Sequence, residues 1–125
     1  ALLEYVRLLP DVSVFTGNAN LFGLVPFGVA GMINPPTGLV LELCVDLFKA
    51  LDSQHYPPAV EAQKRVDTAA RIVAARLRKY GRVPLQEVFR MRGFAVKRFP
   101  KWETEQMPKD EVMKLERELK TAGIL

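Results

Sequence analysis

The sequence predicts an α/β chain in which a βαβα segment of a barrel is followed by a purely helical tail. Three observations predict it. Two short apolar runs, near Val12–Phe15 and Val29–Ile33, each stop at a glycine or asparagine just where a helix would begin. Neither run alternates with polar residues, which is the pattern of strands in a parallel sheet covered on both faces. From Ala59 onward, apolar residues recur every three or four positions, the period of helices.

The opening segment ALLEYVRLLP has helical spacing, with Leu2, Leu3, Val6 and Leu9 on one side and Glu4 and Arg7 on the other. It has no initiating methionine, so the chain is expected to begin inside an element. Pro10 and Asp11 mark a turn, residues 12–15 form the first strand, and Thr16-Gly17-Asn18 ends it. A short helix is expected from Asn20 to Gly28, weakened by Gly23 and Pro26, and residues 29–33 form the second strand. Asn34-Pro35-Pro36-Thr37-Gly38 stops that strand, because proline cannot donate to a ladder, and leads into a helix over Leu39–Leu51. On this helix Glu42, Asp46 and Lys49 make one narrow polar stripe. Residues 1–51 are thus expected to be the βα units and residues 52–125 a helical extension. In the extension, a loop at 52–58 precedes a long helix over Ala59–Tyr80, with Ala59, Ala62, Val66, Val73, Leu77 and Tyr80 inward. Gly81 stops it, Pro84 opens the next helix towards Gly93, and Pro108 opens the last, with Val112, Leu115 and Leu119 inward.

With 125 residues, 49% apolar and 26% charged, the chain has the composition of an ordinary folded domain and not of a disordered one. No apolar run reaches the roughly 18 residues of a membrane span, and the start lacks the basic and small-residue features of a signal peptide. No membrane partner is expected, and the expected compartment is the cytoplasm, with the mitochondrion as the other candidate. The single cysteine, Cys44, has no intrachain disulfide partner and falls on an apolar helix face as a core residue. The net charge of +4, with many cations between Lys64 and Lys101, raises a second reading: a standalone basic helical interaction or nucleic-acid-binding module. Glu61, Asp67, Glu87 and Glu103 interrupt those cations, and no ladder of stacking aromatics accompanies them, so no nucleic-acid partner is expected. His55 is the only histidine, which excludes a histidine-rich metal site, and no cofactor is expected.

The landmarks VFTGNANLF, FGVAGMINPPTGL and GRVPLQEVFRMRG, with the ending KTAGIL, occur in an order and spacing that resemble the C-terminal part of the dihydrodipicolinate synthase / N-acetylneuraminate lyase family. The resemblance implies the C-terminal fragment of a (β/α)8 TIM barrel, comprising its last two strands and their helices, plus a three-helix C-terminal extension. It implies a class I aldolase or lyase in which a lysine forms a Schiff base with pyruvate or another 2-oxo acid and a tyrosine relays protons. Both residues would lie upstream of Ala1, so this chain supplies no catalytic residue and is expected to be inactive alone. The parent enzyme would be either 4-hydroxy-tetrahydrodipicolinate synthase-like or 2-keto-3-deoxy acid aldolase-like, and a homotetramer built through the C-terminal helices.

On the same resemblance Gly17, Asn18, Ile33 and Asn34 are substrate-binding. Gly17 matches a glycine that lets the substrate approach the backbone, and Ile33 an apolar residue beside the imine. Asn18 stands where aspartate or tyrosine is common, and Asn34 where small serine-like residues are, which leaves the substrate open. Each has a local alternative: a positive-φ turn for Gly17, a cap for Asn18, a core filler for Ile33. Lys49, Lys64 and Lys79 fall on polar helix faces that keep an amine protonated, so none is expected to be the nucleophile. Phe99 and Trp102 are expected to anchor the tail.

Overall fold

A computed structural model describes residues 2–33, 35–96 and 106–125, with the side chains of residues 35–37 outside the description. Asn34, Phe99 and Trp102 therefore lie outside the described residues. Helix α1 spans Leu2–Leu8 and strand β1 Phe15–Thr16; a 3-10 turn at Val25–Phe27 precedes β2 at Gly31–Met32. A second 3-10 segment, Pro35–Val40, runs into α2 at Leu41–Asp52, followed by α3 at Tyr56–Tyr80, α4 at Val83–Met91 and α5 at Lys109–Thr121.

The barrel reading is overturned. The described sheet consists of two strands of two residues each, paired in parallel with Phe15 opposite Gly31 and Thr16 opposite Met32, against five α-helices. The chain is a predominantly helical protein with a minimal parallel sheet, not a fragment of a TIM barrel with two strands and their helices. The physical reason lies at the ends of the apolar runs. Strands of a barrel carry ladder bonds to two neighbours along their length, whereas among the described residues Ala30 N–H to Val14 O and Ile33 N–H to Thr16 O, both 2.8 Å, extend a pairing between two strands of two residues each. Beyond Thr16 the backbone turns away, since the amide of Asn18 bonds the Thr16 hydroxyl at 2.9 Å and not a partner strand.

Between the strands, the helix expected from Asn20 is a turn and a 3-10 segment. Pro26 inside it has no N–H, and Gly23 carries the entropy cost of glycine in a helix. Gly28 ends the segment at φ 94°, a left-handed conformation open to glycine; a Cβ there would also stand 2.8 Å from Cγ1 of Val6 on α1.

Two compact units divide the chain within α3, at Ala1–Asp67 and Thr68–Leu125. The first has a core of Leu21, Val29, Leu39, Leu47, Leu51, Ala59 and Val66. Prolines 57 and 58 are accommodated in the first turn of α3, where amides have no intrahelical partner, so the helix starts at Tyr56, ahead of the expected Ala59. In the second unit Val73, Val88, Leu115 and Leu119 are buried, and Gly81 stops α3 at φ 55°. Arg76, also buried, clasps Glu118 with two bonds of 2.9 Å, donates to Ile72 O, and lies 3.6 Å from Glu111. No helix among the described residues is long and apolar enough to cross a membrane.

Candidate functional site

Parallel pairing places the C-terminal ends of β1 and β2 side by side. Because Ile33 N–H bonds Thr16 O, the residues that follow each strand, Gly17 and Ile33, are neighbours: a Cβ on Gly17 would lie 3.9 Å from the Ile33 carbonyl oxygen. That is an ordinary contact, and Gly17 is not among the glycines with positive φ. Neither local strain nor crowding among the described residues therefore calls for a glycine at 17. Ile33 is 73% exposed, an unusual state for a large β-branched side chain at the mouth of a parallel pair. Structure thus brings Gly17, Asn18 and Ile33 to one rim, with Gly17 and Asn18 exposed as well.

The loop that carries this rim is built by its own polar side chains. Thr16 Oγ1 accepts the amide of Asn18, Asn18 Oδ1 accepts the amide of Asn20, and Asn20 Oδ1 accepts the amide of Gly23, at 2.9, 2.9 and 3.0 Å. Each side chain captures a backbone donor two or three residues on, the Asx and Ser/Thr turn chemistry that lets such residues replace secondary structure. The carboxamide oxygen of Asn18 is accordingly engaged in shaping the loop. A second fixture comes from α3: Gln63 Oε1 accepts the amide of Phe22 at 3.0 Å, while its Nε2 donates to Ala19 O at 2.9 Å and to Asp67 Oδ1 at 2.8 Å. Phe22 also meets Tyr56 edge-on, with ring centroids 6.1 Å apart.

On the face of the strand pair towards α2 lies an apolar groove of about 340 Å³, lined by Phe15, Leu21, Met32, Leu41, Cys44 and Phe48 among others. None of Gly17, Asn18 or Ile33 lines it. Phe15 lies across Gly31, and the groove exists beside that ring because glycine leaves room for it: a Cβ on Gly31 would stand 2.9 Å from Phe15 Cε1. Burial pushes the Cys44 thiol up to about 11, with the nearby Glu42 carboxylate adding to the rise, so the thiol stays protonated at neutral pH.

No described lysine has the surroundings of a Schiff-base nucleophile, which needs burial or neighbouring positive charge to lower its pKa. Lys49, Lys64 and Lys79 are exposed. Lys64 pairs with Glu61 at 2.6 Å, and interaction with the Tyr80 side chain raises the pKa of Lys79, the direction opposite to what a nucleophile needs. No group of three histidine, cysteine or carboxylate side chains among the described residues is placed to hold a metal ion.

No protein-family model matches this chain, and no curated protein matches it either.

Two residues that organise the molecule escaped the sequence reading. Gln63 and Arg76 are polar residues buried in phase with the apolar stripe of α3, at Ala59, Gln63, Val66 and at Val73, Arg76, Tyr80. The signal was present in the spacing: each polar residue falls where the stripe requires an inward side chain, and a polar group in such a place needs partners.

Proposed function

We propose that this chain is part of a Schiff-base-forming lyase or synthase that condenses or releases pyruvate, and that Gly17 and Ile33 form a wall of its substrate pocket while the nucleophilic lysine is supplied from outside the chain. The observation that carries the reading is the adjacency of Gly17 and Ile33 at the C-terminal ends of a parallel strand pair, Gly17 with no positive φ and no described atom crowding its Cβ, Ile33 exposed. A glycine with neither positive φ nor a crowded Cβ suits close approach of a substrate to the backbone. An exposed isoleucine beside it suits contact with a planar apolar face such as an imine. The ordered landmarks VFTGNANLF, FGVAGMINPPTGL and GRVPLQEVFRMRG support the same reading.

In this chemistry a lysine amine attacks the ketone carbon of pyruvate, the carbonyl oxygen leaves as water, and the C=N bond of an imine forms. Loss of a proton from the adjacent methyl carbon gives an enamine, which forms a C–C bond to an aldehyde carbon while the aldehyde oxygen takes up a proton; water then hydrolyses the resulting imine, returning the ketone and the lysine amine, and cleavage runs the same steps backwards. The chain's own residues would shape and dry the pocket. The reading carries with it a cytoplasmic setting and a homotetramer joined through the C-terminal helices.

Borohydride trapping tests it. The full-length protein that carries this chain should retain a covalent pyruvate adduct after reduction, on a lysine outside residues 1–125, and the isolated 125-residue polypeptide should retain none. An adduct on Lys49, Lys64 or Lys79, or no adduct in the full-length protein, would overturn the assignment.

A further inference from the structure

We propose that Gln63 is a positioning residue for the strand-end rim: its carboxamide pins the Ala19–Phe22 loop to α3 and so fixes Gly17 in the proposed wall of the pyruvate pocket. The inference rests on the functional reading above for the ligand, and on geometry alone for the clamp. Gln63 is only 8% exposed, and every strong bonding direction of its amide that the structure records is directed to a specific partner. The oxygen takes the Phe22 amide, and the nitrogen gives one hydrogen to Ala19 O and one to Asp67. That pattern fixes which end of the carboxamide is oxygen, since only the nitrogen can donate to a carbonyl and a carboxylate at once. The bonds reach 41 and 44 residues back along the chain, so they are tertiary restraints and not part of the loop's own turn chemistry.

The two fixtures act on one short segment. Thr16, Asn18 and Asn20 determine how the backbone leaves β1, and Gln63 determines where that path is held against α3. Without Gln63 the local turns, the burial of Leu21 and the Phe22–Tyr56 ring contact remain, yet the segment between Gly17 and Gly23 loses these hydrogen bonds to α3. A buried side chain whose removal strips the Phe22 amide of its acceptor and leaves the Ala19 carbonyl with the Leu21 amide alone is also the place where a small change has a large positional effect.

Two variants of the full-length protein test this. Gln63→Met keeps the length and removes both donors and the acceptor; Gln63→Glu keeps an acceptor for the Phe22 amide and removes the donors to Ala19 and Asp67. Hydrogen exchange at the Phe22 amide should accelerate by about tenfold or more in Gln63→Met, as expected for loss of a bond that restrains local opening, and also in Gln63→Glu, whose buried carboxylate faces Asp67 and the Ala19 carbonyl with no hydrogen to give either. In steady-state kinetics KM for pyruvate should rise about tenfold in Gln63→Met, equivalent to about 1.4 kcal/mol, with kcat changed by less than about twofold, the signature of lost binding and not of lost chemistry. Unchanged Phe22 exchange in Gln63→Met overturns the clamp. A kcat that falls in proportion to the folded fraction, with KM unmoved, reduces Gln63 to a structural residue. If the wild-type protein forms no pyruvate adduct, the functional reading falls, and Phe22 exchange alone then decides whether Gln63 positions the loop.

Discussion

A methyl group added at Gly31 would lie 2.9 Å from Phe15 Cε1, whereas one added at Gly17 has the Ile33 carbonyl oxygen as its nearest neighbour at 3.9 Å. The two substitutions therefore have opposite expectations. Gly31→Ala must displace the Phe15 ring and should cost about 1–3 kcal/mol of stability, as overpacked sites do; an unchanged urea midpoint would show that the ring has another place to go. Gly17→Ala should change stability by no more than about 0.5 kcal/mol while, on the proposed function, weakening productive binding in the full-length protein, a separation read by comparing the urea midpoint with kcat/KM. Cys44 gives a third test at this scale. With its thiol pushed up to about 11 by burial first and Glu42 second, the native protein should react slowly with a disulfide reagent at pH 8, and its labelling rate should still be climbing well above the ordinary thiol pKa. Labelling in urea should be fast and follow the ordinary thiol. Rapid stoichiometric labelling of the folded chain at pH 7 would show that Cys44 is not the core residue described.

Among the elements, α3 and α5 carry the clearest pH dependence. The Arg76 guanidinium holds the Glu118 carboxyl below the usual carboxylate range, by hydrogen bonding first and charge second. A carboxyl whose pKa is lower folded than unfolded adds stability above the unfolded value and loses it as pH falls through the folded value. Arg76 is shifted upward by the same pair and stays charged across the accessible range. The second unit should thus lose stability on acidification, and Glu118→Gln should be less stable than wild type at pH 7 while showing a flatter decline towards acid; equal slopes in thermal melts from pH 7 to pH 3 would remove Glu118 from the account. Helix existence was legible in the sequence because the period of Val66, Val73 and Leu115 to Leu119 is long enough to average out exceptions. The buried polar residues were not, because Gln63 and Arg76 interrupt an apolar stripe and gain their partners, Ala19, Phe22 and Glu118, from 41 to 44 residues away. Strand extent was also illegible. Val12 to Phe15 and Val29 to Ile33 have strand composition, yet pairing is decided by what lies opposite, and the Thr16 hydroxyl withdraws Asn18 from the ladder.

For the molecule as a whole, the distribution of apolar surface sets its behaviour in solution. Phe15, Phe27, Ile33 and Leu41 in the first unit are each more than half exposed, as are Tyr5 and Leu8 on α1, a helix none of whose described residues is buried. Exposed apolar side chains in such number mark surface that associates when left uncovered. The isolated 125-residue polypeptide should bind a hydrophobic dye and associate with rising concentration in sedimentation, and Ile33→Glu together with Leu41→Lys should reduce both signals; a dye-silent monomer at every concentration would contradict this. At this scale the sequence was least informative, since two strand-like runs and a helical tail are compatible with several architectures until their pairing partners are specified. The succession Thr16, Asn18, Asn20, Gly23 has one further consequence, for evolution and engineering of loop length. Each acceptor serves an amide two or three residues further on, so inserting or deleting a single residue between Thr16 and Gly23 breaks the turn that spans the change. Length changes should be tolerated in the exposed Pro10–Ser13 turn and rejected inside that succession.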